Sequence, residues 1–286
     1  VQSAVLSATG AGLGSLAAGT IEFFSTIDSD SASANSLSVN ASGSEIFHGR
    51  VGGTFALSSL TTDGDASIAN IGRADFVVAG STDATPTVRT TGFQTYNDAV
   101  RLRENTVLSS TAGGNITFNS TVDSEVVGVE RSLRVNTTGN EVFGDGIGFD
   151  YVGNGIALSS LTTDGDASIG VGGSVIFNVA GSADLTPTVK TTGAQTYNDG
   201  AVLANNTTLT STRAAAITFA STVNDDGVAL TLSALTVNTA GLTTFTGAVG
   251  GTVPGGPLAL TSVFTDYTPG VAADVTAING GVVTTT

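Results

Sequence analysis

Paired carboxylates are the residues of this chain best suited to chemistry. Asp63-Gly64-Asp65 and Asp164-Gly165-Asp166 each place two acids around one glycine, inside a phrase that occurs twice. Oxygen donors gathered by a turn can ligate Ca2+, so successive pairs could form a row of calcium sites. Asp-Gly is equally a turn signal, in which the Asp side chain caps its own backbone, and this reading takes precedence. The third copy of the repeating unit carries Asp266-Tyr267-Thr268 and lacks the second acid. Asp150 is a further calcium candidate. The segment Gly146-Ile147-Gly148-Phe149-Asp150-Tyr151-Val152 matches part of the Gly-x-Gly-x-Asp-x-apolar repeat of calcium-binding β-rolls. Such rolls use tandem copies, because each ion bridges neighbouring turns, and here the segment occurs once. Asn224-Asp225-Asp226 reads as a polar turn.

Other chemistries are sparse. His48 is the only histidine, which removes multi-histidine metal sites. It lies in Phe47-His48-Gly49-Arg50, where the other copies have Gly144 and Thr246, and it reads as a surface turn residue. With no Cys there is no disulfide, thiolate metal site, cysteine nucleophile or c-type haem attachment. Carbohydrate-cleaving enzymes converge two carboxylates on one bond. Here the acids are scattered along the sequence, and only nine Lys and Arg are available. Pairs such as Thr208-Leu209-Thr210 and Thr284-Thr285-Thr286 evoke ice-binding arrays, but β propensity accounts for them too. Asn-x-Ser/Thr sequons at Asn40, Asn115, Asn119, Asn136, Asn205 and Asn206 follow from a chain rich in Asn and Thr. The expectation is a protein that is not an enzyme and requires no cofactor, with Ca2+ as the one candidate ligand.

What must position these residues is a repeat. Ala56 to Ile68 returns unchanged as Ala157 to Ile169. Thr85-Pro86-Thr87-Val88 returns as Thr186 to Val189, and Gln94-Thr95-Tyr96-Asn97-Asp98 as Gln195 to Asp199, all in the same register. Leu37-Ser38-Val39-Asn40 has counterparts at Leu133 to Asn136 and Leu235 to Asn238, each followed by a phenylalanine, Phe47, Phe143 and Phe245. The register between copies one and two shortens around Phe143 and recovers by Ala157, so about five residues are inserted near Gly146 to Gly153. The chain divides into residues 1–91, 92–192 and 193–286, close to three copies of one unit within a continuous body.

Within the unit, short apolar segments alternate with turn residues. Thr106 to Ser109, Asn115 to Phe118, Ser132 to Val135, Ile156 to Ser159, Ser174 to Val179 and Pro187 to Lys190 read as strands with one buried face. No stretch shows a helical period. The fold class is all-β. A parallel β-solenoid (β-helix) is favoured by short, numerous strands, by Thr, Asn and Ser at equivalent places, and by small or β-branched apolar residues. Tandem Ig-like β-sandwiches are the alternative, since about 100 residues is their usual size.

Net charge is −15, from 24 acidic and 9 basic residues, which opposes binding to nucleic acid or anionic lipid. No apolar run is long enough to span a membrane. The N-terminus shows no basic and apolar signal-peptide pattern. The absence of Cys is compatible with export.

The strings Thr192 to Asp199, Asn206 to Thr212, Ile217 to Val223, Leu235 to Asn238 and Ile278 to Gly281 resemble the tandem β-strand repeats of large bacterial surface proteins, of the filamentous-haemagglutinin and autotransporter-adhesin type. The resemblance covers essentially the whole chain. It implies a secreted or surface-exposed, right-handed β-helical stalk, and it implies no catalytic residues. Neither Val1 to Leu6 nor Gly281 to Thr286 reads as a polar cap. An open solenoid end is a template for self-association. The functional expectation is therefore an extracellular fibrous protein whose main partner is itself, end to end, with glycans or a cell surface as further partners. A carbohydrate-active β-helix enzyme and a calcium-dependent binding module are the rival readings.

Overall fold

A computed structural model describes residues 3–8, 19–30, 34–63, 72–147, 150–228, 232–251, 259–265, 275–280 and 283–285. Among them the regular structure is all β, with twenty-six short strands, β1 to β26 in chain order. Every strand pair is parallel. Ig-like sandwiches are built from antiparallel sheets and do not fit this pairing.

The strands stack on three faces. The first holds β1 (Ala4–Ala8), β3 (Ser36–Ala41), β5 (Ser59–Thr62), β8 (Gln94–Tyr96), β11 (Ile116–Phe118), β14 (Glu141–Phe143), β16 (Ser174–Phe177), β19 (Gly200–Leu203) and β22 (Val223–Asp225). Bridges at Val249 and Val283 continue it. The second holds β2 (Ile21–Phe23), β4 (Ser44–Phe47), β6 (Arg73–Phe76), β9 (Ala99–Leu102) and β12 (Val122–Ser124). It runs on through a bridge at Val152 to β17 (Val189–Thr191), β20 (Thr207–Ser211), β23 (Ala234–Thr239) and β25 (Ser262–Thr265). The third begins with bridges at Ile27 and Val51, then β7 (Val88–Thr90), β10 (Thr106–Ser110), β13 (Ser132–Thr137) and β15 (Ser160–Thr163). It ends with β18 (Gln195–Tyr197), β21 (Ile217–Phe219), β24 (Thr243–Phe245) and β26 (Thr276–Ile278).

The chain visits the three faces in rotation, so each circuit lies on the one before. From β3 to its sequence counterpart β13 it passes eleven positions, ten strands and the Val51 bridge. Eleven positions over three faces make three and two-thirds circuits. β3, β13 and β23 share the Leu-x-Val-Asn phrase yet lie on the first, third and second faces respectively.

Alternation of side chains along a strand sends every second residue inward. The innermost positions form one continuous apolar core. Ten rings run through it in a column: Phe23, Phe47, Phe76, Tyr96, Phe118, Phe143, Phe177, Tyr197, Phe219 and Phe245, with neighbouring centroids 5.0 to 6.2 Å apart. Most neighbours are stacked. The two exceptions are edge-on: Phe76 against Tyr96 at 88° and Phe177 against Tyr197 at 89°. At each of these steps the column passes from one face to the next.

Corner loops explain the residues that alternation does not. Val51 and Leu57 both pair with β7, so residues 52–56 form a loop that leaves the third face and returns to it. Asp28 Oδ1 accepts from the amides of Thr54 and Phe55, at 2.7 and 3.1 Å, and holds that loop. Asp123 Oδ1 does the same for Gly155 and Ile156, both at 3.0 Å. Gly52 has a φ of +72°, and a Cβ there would lie 2.0 Å from the carbonyl oxygen of Arg89, so no other residue fits. Ile156 to Ser159, expected as a strand, is the return of the second such loop. Only Leu158 pairs, and β15 begins at Ser160. The expected insertion is present: Val51 follows Phe47 by four positions and Val249 follows Phe245 by four, but Val152 follows Phe143 by nine. Among the described residues no helix is long and apolar enough to cross a membrane.

Candidate functional site

Two clusters of buried carboxylates stand out against this apolar interior. Glu45, Asp63 and Asp98 form the first, and Glu141, Asp164 and Asp199 the second. In each, one oxygen per residue lies within 4.8 Å of the others. The members come from three successive circuits. Glu45 is on β4, Asp63 follows β5, and Asp98 lies between β8 and β9. The corner is the one where the first face turns into the second. The second cluster repeats the arrangement where the third face turns into the first: Glu141 on β14, Asp164 after β15, Asp199 between β18 and β19.

Alternation places the glutamates. Glu45 and Glu141 each stand two residues before an inward phenylalanine, so they too point inward. Glu45 pairs with Ile21 and Ala74 on adjoining strands, and Glu141 with Ile116 and Val175, so each stands between apolar neighbours. Both are fully buried, at 0% exposure, with Asp98 at 1% and Asp199 at 2%.

The aspartates are placed by backbone geometry. Asp63 and Asp164 adopt φ of +43° and +44°, the left-handed conformation that Asp tolerates better than most residues. The amide of Ala41 donates to Asp63 Oδ1 at 2.7 Å and to Glu45 Oε1 at 3.0 Å. The amide of Thr137 donates to Asp164 Oδ1 at 2.9 Å, and Thr163 Oγ1 donates to Asp199 Oδ1 at 2.7 Å. The Gln-Thr-Tyr-Asn-Asp phrase supplies the rest. Asn97 Nδ2 donates to the carbonyl oxygens of Thr62 and Asp63, and Asn198 Nδ2 to those of Thr163 and Asp164, tying the corners together. Gln94 and Tyr96 point inward with Asp98, and Tyr96 Oη donates to Gln94 Oε1 at 2.8 Å. The phrase therefore builds the face-switching ring and the last carboxylate together.

These bonds leave much of the negative charge without a donor. Glu45 Oε2, Asp63 Oδ2, both oxygens of Asp98, both of Glu141 and Asp199 Oδ2 are buried and accept no hydrogen bond. Burial disfavours the ionised form. Burial, aided by the neighbouring acids, pushes Glu45 up to about 11 and Glu141 far above the carboxylate range. Burial also lifts Asp98 to about 7 and raises Asp164 and Asp199. The clusters can take up protons, a cation, or both in competition.

The residues singled out in the sequence are distributed differently. Asp63 and Asp164 belong to the clusters, each with a glutamate and an aspartate from neighbouring circuits. Asp166 turns away and accepts from the amide and hydroxyl of Ser168, at 2.8 and 2.7 Å. Asp65 lies outside the described residues, as do Gly148 and Phe149 of the β-roll-like segment. Asp150 sits in the inserted loop, with the amide of Asp145 3.4 Å from its Oδ2. Burial raises its pKa to about 6, with the Asp145 side chain also raising it, and it joins neither cluster. His48 is half-buried, 2.6 Å from Glu22 Oε1 and stacked on Phe24. Thr208 is buried, so Thr208 and Thr210 do not present a flat threonine pair. No protein-family model, curated protein or solved structure matches the chain.

Proposed function

We propose that the chain is a parallel β-solenoid of about three tandem repeats of 95–101 residues. It serves as a structural, extracellular stalk or filament subunit of a bacterial surface adhesin or matrix, and it associates with copies of itself end to end. The observation that carries this reading is the pairing at the extremes of the stack. Among the described residues, β1 and β2 at one extreme and β25 and β26 at the other each pair with a single strand, while the strands between are paired or bridged on both sides. Unpaired strand edges accept further strands. Ile278, in register with the inward Phe245, is exposed at one extreme, which adds an apolar contribution to stacking. The acidic surface supports the same reading, because net charge of one sign opposes lateral clumping.

The rival reading as a carbohydrate-cleaving enzyme gains no support from the acid clusters. Their carboxylates lie inside the core, beyond the reach of a polymer. Electron microscopy combined with light scattering over a range of protein concentrations tests the proposal. Rods roughly 50 Å long, from about eleven levels at about 4.8 Å each, and end-joined multiples of them are expected. Particles that stay single and globular at every concentration would refute it.

A further inference from the structure

We propose that each carboxylate cluster is a buried calcium site, which ties three successive circuits of the chain together through one ion. The inference does not rest on the filament reading, because the clusters lie within one chain.

Three observations converge on it. The first is geometry. Ca2+ binds oxygen at 2.3–2.6 Å, so ligand oxygens on one ion lie up to roughly 5 Å apart. One carboxylate oxygen from each member of a cluster falls within 4.8 Å of the others. The donors are all oxygen, the set that suits a hard divalent cation. Magnesium demands near-ideal octahedral geometry and gives up its water reluctantly, which suits a dry corner poorly. Calcium accepts irregular coordination.

The second observation is the unpartnered oxygens. Asp98 at 1% exposure and Glu141 at 0% have both carboxylate oxygens inside the cluster with no donor, and Glu45 and Asp199 each contribute one more. Among the described residues none of the six acids is in an ion pair with Lys or Arg. Buried polar groups are normally satisfied, and an exception calls for a partner. A divalent ion would partner several of these oxygens at once.

The third is recurrence. The second cluster reproduces the first member for member, on a different corner of the body. Three acids from three separated places are kept together in each cluster, although the glutamates stand between apolar neighbours where an apolar or hydroxyl side chain would fit. The third copy shows the alternative: Thr243 stands where Glu45 and Glu141 stand, paired between Ile217 and Thr276. The predicted stoichiometry is therefore two ions per chain.

Because the site is enclosed, the ion would enter as the circuits close. The test accordingly unfolds the full chain in urea and refolds it with CaCl2, with MgCl2 or with a chelator. Bound metal is measured by mass spectrometry after desalting, and stability by the urea midpoint. Two calcium ions per chain are expected after refolding in calcium. Calcium at a hundred times its Kd should favour the folded state about 100-fold per site. Magnesium should do markedly less. Glu45→Gln should retain one ion, and Glu45→Gln with Glu141→Gln none, with a midpoint indifferent to calcium. Should either glutamine variant fail to fold, Asp98→Asn and Asp199→Asn address the same clusters from another circuit and carry the same expectation. Refolding without retained calcium, with equal midpoints in calcium and chelator, would overturn the proposal. So would a calcium effect that persists undiminished in the double variant, or an equal response to magnesium.

Discussion

Phe118 sits in the middle of the ring column and gives a sharp measure of what the column contributes. Its ring is 1% exposed. It stacks on Tyr96 at 5.2 Å and 17°, and on Phe143 at 5.3 Å and 1°. Replacing a buried Phe by Ala removes the transferred surface and leaves a cavity, costing about 3–5 kcal/mol. A pair of stacked rings contributes about 0.5–1.5 kcal/mol beyond area, so Phe118→Leu, which keeps most of the apolar bulk, should lose two such contributions, about 1–3 kcal/mol. Phe245 provides the control, because it has one stacked ring among the described residues, Phe219 at 5.0 Å. Phe245→Leu should cost less than Phe118→Leu by roughly one pair. The three variants are compared by urea-induced unfolding followed by far-UV circular dichroism, in a fixed calcium concentration. In a stack whose stability is a sum over neighbouring levels, loss at one level weakens the contacts on both sides. If Phe118→Leu costs no more than Phe245→Leu, the rings fill space without stacking energy, and the argument fails. If Phe118→Ala costs no more than Phe118→Leu, the core is not close-packed at this level.

The hydrogen bond at each face switch is also measurable. Tyr197→Phe removes the hydroxyl that donates to Gln195 Oε1 at 2.9 Å and leaves a buried acceptor empty, at a cost of about 1–3 kcal/mol in the same urea titration; a neutral result would mean the amide is satisfied otherwise. The clusters predict a pH dependence in chelator. Glu45 and Asp98 have folded-state pKa values above their unfolded ones, so their contribution is complete below about pH 4 and is lost as pH rises, through about 7 for Asp98 and about 11 for Glu45. Each proton retained by the fold makes stability fall by about 1.4 kcal/mol per pH unit. Thermal melts between pH 5 and pH 9 should therefore decline steadily, and Glu45→Gln should flatten the slope, whereas a melting temperature that rises over this range would contradict the sign.

Much of the architecture was legible because the strand signal is local. Thr106 to Ser109, Asn115 to Phe118 and Ser132 to Val135 fall on β10, β11 and β13, where alternation and flanking Gly or Asn define each segment. Ile156 to Ser159 misled for the same reason: its alternation is strand-like, yet the loop before it is held by Asp123, a contact 33 residues away that no local pattern shows. The acid clusters were half legible. Asp63 and Asp164 drew attention by their spacing to a neighbouring acid, but their partners in space are not neighbours in sequence. Glu45 and Glu141 passed unnoticed because a lone acid in a strand carries no motif. The signal that would have found them is parity, since Glu45 and Phe47, like Glu141 and Phe143, must share a side of the strand. Asp98 shares the parity of Gln94 and Tyr96 in the same way. The rotation between copies follows only from counting the bridges at Val51 and Val152, which the sequence marks with single valines.

The fractional number of circuits per repeat has a consequence for the outside of the molecule. A side chain that occurs once in every copy falls back by one face each time, so it traces a spiral around the body and returns to its starting face after three copies, about 53 Å further on at 4.8 Å per level. A longer chain of such copies would have neither a front nor a back. Anything it touched laterally would meet the same motif at a regular pitch from any direction of approach.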